Sequence, residues 1–139
     1  MSSFTRPLIV SPLPDGKRWV LREEFSYDIG EKGSDNTIIV PRGFVTDFAS
    51  IPRSFWTIYP KWGKYGNAAV VHDYLYWKQI FSRKESDIIF LEGMKVLEVI
   101  ERDRKIIYNV VRLFGGWAWK ENQKDKKMAK NKIIDLSEW

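Results

Sequence analysis

The sequence predicts an α+β domain, in which a small antiparallel sheet of about three strands precedes about three helices. The first half alternates β-branched and aromatic residues between turn signals, whereas the second half repeats apolar residues at helical spacing. The chain has 139 residues, 44% of them hydrophobic, which is enough to bury a core without disulfides or metal. Because the chain contains no cysteine, disulfide scaffolds, thiolate zinc sites and cysteine nucleophiles are excluded.

Three segments of the first half predict strands. Residues 7–12 contain an aliphatic run, and residues 17–29 alternate loosely after the turn formed by Pro14, Asp15 and Gly16. The β-branched run Thr37–Val40 is closed by proline and glycine. Together these segments predict a small antiparallel meander.

Two helices are predicted in the middle of the chain. Residues 65–79 are apolar nearly all round, which is typical of a central, buried helix. Ser82 and Glu85 have the spacing of a capping box, and the following residues predict a second helix over 83–100.

A third helix is predicted over residues 103–114, ended or kinked by Gly115-Gly116. We expect a single domain over residues 1–119 and a lysine-rich C-terminal extension over 120–139. The net charge is +5, and residues 120–132 hold six lysines against two acidic residues. A nucleic-acid arm is only weakly indicated, because this run has no arginine and no interleaved aromatic residue. No apolar run predicts a membrane span, and the N-terminus has no apolar core of a secretion signal.

A His-Asp step stands inside the apolar helical segment, and His72 is the only histidine of the chain. Since an unpaired buried polar group costs about 1–3 kcal/mol, His72 and Asp73 need partners. Asp47 and Arg53 are the nearest candidates in sequence. In one interpretation Asp47, His72 and Asp73 form a catalytic cluster, with His72 as base or ligand and the carboxylates orienting it or binding a hard cation. In the other, which we favour, they tie the helix to the preceding loop.

Further polar and aromatic residues have two interpretations each. Asp87 follows Arg83 by four positions, which favours an exposed ion pair over a further carboxylate of the cluster. Arg53 could bind a phosphate or carboxylate, or pair with Asp47. Ser50 has no nucleophile elbow around it. Three tryptophans close to the polar C-terminal part are candidate interface anchors, with local packing as the alternative: Trp117, Trp119 and Trp139.

Four segments, in order, resemble an uncharacterised phage and prophage family that carries the domain-of-unknown-function label thirteen-fifty-three. They are GFVTDFASIPR from Gly43, AAVVHDYLY from Ala68, the segment from Arg83 to Met94, and the segment from Tyr108 to Gly115. The resemblance covers roughly residues 36–118, and Ser86 stands where we expect alanine. It implies a viral or prophage gene in a bacterial host and brings no established reaction.

These features predict a phage-encoded virion or assembly-associated interaction protein that is not catalytic. Its partners are other phage proteins, and its location is the virion or the cytoplasm of the bacterial host. The alternative is a small hydrolase that uses His72 with Asp47 and Asp73. No cofactor is predicted, although the alternative leaves room for a divalent cation.

Overall fold

The α+β class is confirmed by the computed structural model, which describes residues 2–30, 36–47, 65–128 and 131–137. Within those ranges, six short strands form two antiparallel sheets of three strands each, followed by three helices. The elements are β1 (Ser3–Phe4), β2 (Val10–Pro12), β3 (Trp19–Leu21), β4 (Phe25–Asp28), β5 (Thr37–Val40), β6 (Val45–Thr46), α1 (Gly66–Lys78), α2 (Arg83–Val96) and α3 (Glu101–Lys127).

The single sheet expected from the sequence is divided into two. One sheet has the order β1-β4-β5 and the other the order β2-β3-β6. The division arises because residues 17–29, predicted as one strand, form β3 and β4, which pair in different sheets. In β5 the burial alternates, with Ile38 and Val40 in the core and Thr37 and Ile39 exposed, as a half-buried strand requires.

Helix α1 is the central element of the helical layer, as its apolar sequence predicts. Ten of its 13 residues are buried, and it packs against both α2 and α3. Because successive residues of a helix lie about 100° apart, His72 and Asp73 leave α1 toward different neighbours. His72 reaches α2, whereas Asp73 reaches the end of β6.

The predicted cap of α2 is confirmed. The Glu85 backbone N–H donates to the Ser82 hydroxyl oxygen over 3.1 Å, which satisfies one of the free donors at the start of the helix. The helix ends at Val96 instead of the predicted residue 100. Phe90 and Met94 place its inner face in the core.

The predicted stop at Gly115-Gly116 is wrong, since α3 continues through both glycines to Lys127. A Cβ atom at Gly115 would lie 2.6 Å from the Tyr76 hydroxyl, so the missing side chain allows α1 to pack closely here. The domain boundary predicted after residue 119 falls inside this helix. None of the helices in the described part of the chain has the length and hydropathy needed to cross a bilayer.

The segment over residues 131–137 returns to the sheet formed by β2, β3 and β6. The Ile134 N–H donates to the Gly43 carbonyl, and the Val45 N–H donates to the Lys132 carbonyl, both over 2.8 Å. Gly43 has a φ of 92°, and a Cβ atom there would lie 2.3 Å from the Ile134 carbonyl oxygen. Only glycine fits both conditions, so this position allows the return segment to lie against the sheet.

Candidate functional site

Helix α1 separates two buried carboxyl groups that have different surroundings. We call the first the Asp87 cluster, formed by His72, Tyr76, Arg83, Asp87 and Arg112. We call the second the Asp73 pocket, a cavity beside β6 whose wall includes Asp73. The Asp73 pocket opens to solvent, whereas the Asp87 carboxylate is 0% exposed.

Asp87, on α2, accepts hydrogen bonds from side chains of α1 and α3. The Tyr76 hydroxyl donates to Oδ1 over 2.6 Å, and His72 Nε2 lies 2.7 Å from the same oxygen. Arg112 Nη1 donates to Oδ2 over 2.6 Å, and Arg83 Nη1 lies 3.6 Å from it. The Asp87 side chain is 0% exposed, so this cluster is an internal polar network that joins all three helices.

The hydrogen bonds of the cluster decide which groups carry charge. Burial opposes ionisation of Asp87, but hydrogen bonds from His72, Tyr76 and Arg112 outweigh it and hold the pKa of this carboxyl below its usual value. Burial also lowers the pKa of the His72 imidazole, against the pull of the Asp87 carboxylate. We therefore assign a neutral ring that donates from Nε2 to Asp87.

His72 is enclosed on its other sides by aromatic rings. Its ring centroid lies 4.2 Å from that of Tyr76 and 4.6 Å from that of Phe90, and its side chain is 1% exposed. Nδ1 of the ring is buried, and none of the described residues forms a hydrogen bond with it. In the neutral tautomer this atom presents only a lone pair, which is less costly to leave unpaired than a donor is.

Asp73 is held at the end of β6 by two donors. The Thr46 hydroxyl donates to Asp73 Oδ2 over 2.8 Å, and the Asp47 backbone N–H donates to the same oxygen over 3.1 Å. Neither donor carries a charge. Burial raises the pKa of the Asp73 carboxyl to about 7, and the Asp47 carboxylate adds to the rise while Lys132 opposes it.

The Asp73 pocket has a volume of about 250 Å³ and lies between β6, the C-terminal half of α3 and the return segment. The described residues of its lining supply three carboxyl groups and two cationic groups, from Asp47, Asp73, Glu121, Arg18 and Lys132. Asn122 and Trp117 add an amide and an indole. A pocket with a carboxyl group that titrates near neutral pH is suited to hydrogen-bond recognition and to proton transfer.

Helix α3 also exposes large apolar side chains on its outer face. Leu113 is 77% exposed, Trp117 is 73% exposed, and Ile106 is 38% exposed. The spacings of seven and four residues place these three on one side of the helix, with Phe114 at its edge. We call this surface the α3 outer face. Exposed aromatic and aliphatic side chains grouped in this way are typical of binding surfaces.

The structure brings together only part of the predicted catalytic cluster. Asp47 and Asp73 line one pocket, whereas His72 bonds to Asp87 on the other side of α1. Trp117 is exposed at the pocket, and Trp119 packs against Tyr76 with ring centroids 5.1 Å apart. Three further candidates lie outside the described residues: Ser50, Arg53 and Trp139.

Sequence reasoning missed the true surroundings of Asp87. The spacing from Arg83 predicted an exposed ion pair, but the Asp87 side chain is 0% exposed and its closest cation is Arg112. Arg112 lies on α3, 25 positions away, so no local spacing could indicate it. Lys132 and Asn122 were also missed, because they belonged to a segment interpreted as an extension.

The chain that forms this fold and these two polar sites belongs to a known family. Residues 19–111 match the family model described as protein of unknown function DUF1353, which covers more than half of the chain. The protein is therefore a member of the DUF1353 family. No curated protein and no solved structure matches the chain significantly.

Proposed function

We propose that this protein is a non-catalytic interaction protein of a phage or prophage, acting in the virion or in the host cytoplasm during particle assembly. The observation that carries the interaction role is the α3 outer face. Leu113 and Trp117 are each more than 70% exposed on consecutive turns of one helix. Aromatic side chains are enriched among the residues that contribute most to protein–protein binding. The phage assignment rests on the resemblance of the four sequence segments.

The charges of the α3 outer face indicate the chemistry of the partner. Lys120, Lys124 and Lys127 follow Trp117 at spacings of three, four and three residues, so they extend the same side of the helix. All three lysines are exposed. A complementary partner is a phage protein with an apolar patch that is bordered by carboxylates, because such a surface meets both halves of this face.

The effect of one charged substitution on this face tests the proposal. Leu113→Glu places a carboxylate in the centre of the apolar part, whereas Ile88→Glu makes the same kind of change on α2, where Ile88 is 45% exposed. Neither side chain is buried, so we expect both variants to fold with free energies of unfolding within about 0.5 kcal/mol of the wild type.

The measurement is the amount of each variant in purified particles of the encoding phage, determined by quantitative mass spectrometry. We expect the wild-type protein and the Ile88→Glu variant to be retained and the Leu113→Glu variant to be lost at least tenfold. Sedimentation analysis of the isolated protein identifies a second copy of this chain as occupant if it finds a dimer that Leu113→Glu dissociates. Retention of the Leu113→Glu variant at the wild-type level contradicts the proposal, and so does a monomer that is absent both from intact particles and from assembly intermediates.

A second candidate, the small hydrolase, is favoured by one observation in the Asp73 pocket. The Asp73 carboxyl has a pKa near 7 and lies beside Asp47, so it is a proton donor at neutral pH. In this candidate Asp73 acts as general acid and the Asp47 carboxylate activates a water or holds a divalent cation. We assign no substrate contact to His72, because its side chain is 1% exposed. Turnover that survives Asp73→Asn contradicts this candidate.

A further inference from the structure

The Asp73 pocket has the features of a preorganised recognition site. The carboxyl group of Asp73 is fixed by the Thr46 hydroxyl and the Asp47 N–H, and both hydrogen bonds end on Oδ2. Within the described parts of the chain both of these bonds end on Oδ2, so we assign Oδ1 to ligand binding. Since the entropy cost of binding is smaller when the receptor side chains are already ordered, such a carboxyl is a favourable anchor.

A second buried polar side chain of the pocket is fixed in the same way. Asn122 is 5% exposed, its amide nitrogen donates to the Ala118 carbonyl over 2.9 Å, and its amide oxygen accepts from Lys132 Nζ. These bonds orient the amide and hold the lysine ammonium at the pocket wall. The site thus presents a carboxyl, an amide and an ammonium in fixed positions.

The charge and size of the pocket restrict the ligand. Among the described residues of the lining, three carboxyl groups and two cationic groups sum to a charge within one unit of zero, which favours an uncharged ligand over a phosphate or a polyamine. The volume of about 250 Å³ lies below the roughly 300–1,000 Å³ of pockets for drug-sized ligands. The pocket therefore has room for one ring with its substituents.

Trp117 supplies a flat apolar surface beside these polar groups. Its side chain is 73% exposed and contributes to the pocket wall. A ligand that matches this combination has an apolar face and several hydroxyl groups at its edge. A sugar ring has both, since its axial C–H bonds form the face and its hydroxyls donate and accept at the rim.

We propose that the Asp73 pocket binds one uncharged ring of a saccharide, with Trp117 stacked on its C–H face and Asp73 and Asn122 bonded to its hydroxyls. This site does not depend on the partner binding proposed for the α3 outer face. Trp117 borders both surfaces, whereas Leu113 belongs to the outer face alone and Asn122 to the pocket alone.

The test is a titration of the full ¹⁵N-labelled chain with glucose, galactose and N-acetylglucosamine, followed by NMR. We expect at least one sugar to shift the Trp117 indole N–H and the Asn122 side-chain amide saturably. Trp117→Ala weakens that binding at least tenfold, whereas Leu113→Ala, one turn away on α3, leaves it unchanged. Denaturant unfolding of each variant verifies that the fold is intact.

Several outcomes overturn the proposal. These are the absence of saturable shifts with all three sugars, wild-type binding by Trp117→Ala, or tighter binding of inorganic phosphate or glucuronate than of any uncharged sugar. Methyl glycosides distinguish the source of the ring. If they bind as well as the free sugar, the ligand is the end of a glycan, and if they do not, it is a free sugar; either result supports a ring site.

Discussion

Asp87 and Asp73 are two buried aspartates on opposite sides of α1, and their surroundings give them opposite protonation behaviour. The Asp87 side chain is 0% exposed, and Asp73 is 9% exposed, so burial alone does not separate them. Asp87 has two arginines close to Oδ2, whereas Asp73 is bonded by an uncharged hydroxyl and a backbone N–H. Since both carboxyl groups are buried, the charge of their partners decides which of the two is ionised.

This difference separates a structural role from a chemical one. A carboxylate with a lowered pKa and a full set of donors holds elements together and does not exchange protons at neutral pH. A carboxyl group that titrates near neutral pH at the wall of an open pocket can hold elements together and can also exchange protons. The Asp87 cluster therefore belongs to the fold, and the Asp73 pocket is the stronger candidate for ligand recognition.

The largest effect is expected from Asp87→Asn, which keeps the shape of the side chain and removes its charge. Arg112 and Arg83 then lose their carboxylate, and breaking a buried ion pair by removing one partner costs about 3–5 kcal/mol. We expect the free energy of unfolding to fall by that amount in denaturant titrations at pH 7. A loss below about 1 kcal/mol would contradict the structural role that distinguishes Asp87 from Asp73.

The second-largest effect is the pH dependence of the free energy of unfolding, to which Asp73 and Asp87 contribute with opposite signs. The folded pKa of Asp73 is about 7 against an ordinary 3.8, so the native state binds more protons than the unfolded state between these values. Its contribution to stability is complete below about pH 4 and is lost as the pH rises to about 7, by on the order of 3–4 kcal/mol. The lowered pKa of Asp87 acts the other way, since its contribution is lost only as the pH falls below the ordinary value.

Asp73→Asn isolates the Asp73 part of this pH dependence. The variant lacks the proton of Asp73, so we expect its stability to decline less between pH 4 and 7 and to exceed that of the wild type at pH 8. Denaturant unfolding across this range measures both curves. Parallel curves for the two proteins would show that Asp73 does not titrate near neutral pH.

We expect the smallest effects from removing one hydroxyl donor to Asp87 and one hydroxyl donor to Asp73. Tyr76→Phe deletes a hydrogen bond to a charged carboxylate, which costs about 1.5–3 kcal/mol. Thr46→Val deletes a donor to a largely protonated carboxyl, and we expect about 1 kcal/mol at pH 5. Thr46 lowers the pKa of Asp73, so its removal should also raise that pKa further, as carboxyl ¹³C NMR can measure. Equal costs for the two variants would argue against the assigned charges.

Local patterns predicted the elements that depend on neighbouring residues. The apolar run around His72 indicated a buried central helix, and the spacing from Ser82 to Glu85 indicated the start of α2. Both signals act within a few residues, so a single sequence contains them. The division into two sheets was missed because pairing joins distant segments, and the pattern within residues 17–29 contains no signal for which partner each half chooses.

The candidate site was predicted in part for the same reason. The pairing of Asp47 with Asp73 followed from their positions beside the junction of sheet and helix. The bond from His72 to Asp87 and the ion pair from Arg112 depend on how α1, α2 and α3 pack together. Gly115-Gly116 was interpreted as the end or a kink of the helix, because glycine commonly follows the last helical turn. The structure gives a different reason for glycine at position 115, which is the close contact with Tyr76, and sequence alone does not show this contact.

The return of residues 132–134 to Gly43 and Val45 has a consequence for the order of folding. Loop closure between such distant segments is slow, because its entropy must be lost before any of the contacts form. The helices need only local contacts and can form first. The wall of the Asp73 pocket that contains Lys132 should therefore form late in folding. In pulse-labelled hydrogen exchange we expect the Val45 amide to become protected after the amides of α1. A nascent chain that has not yet exposed this segment lacks the Lys132 wall of the pocket.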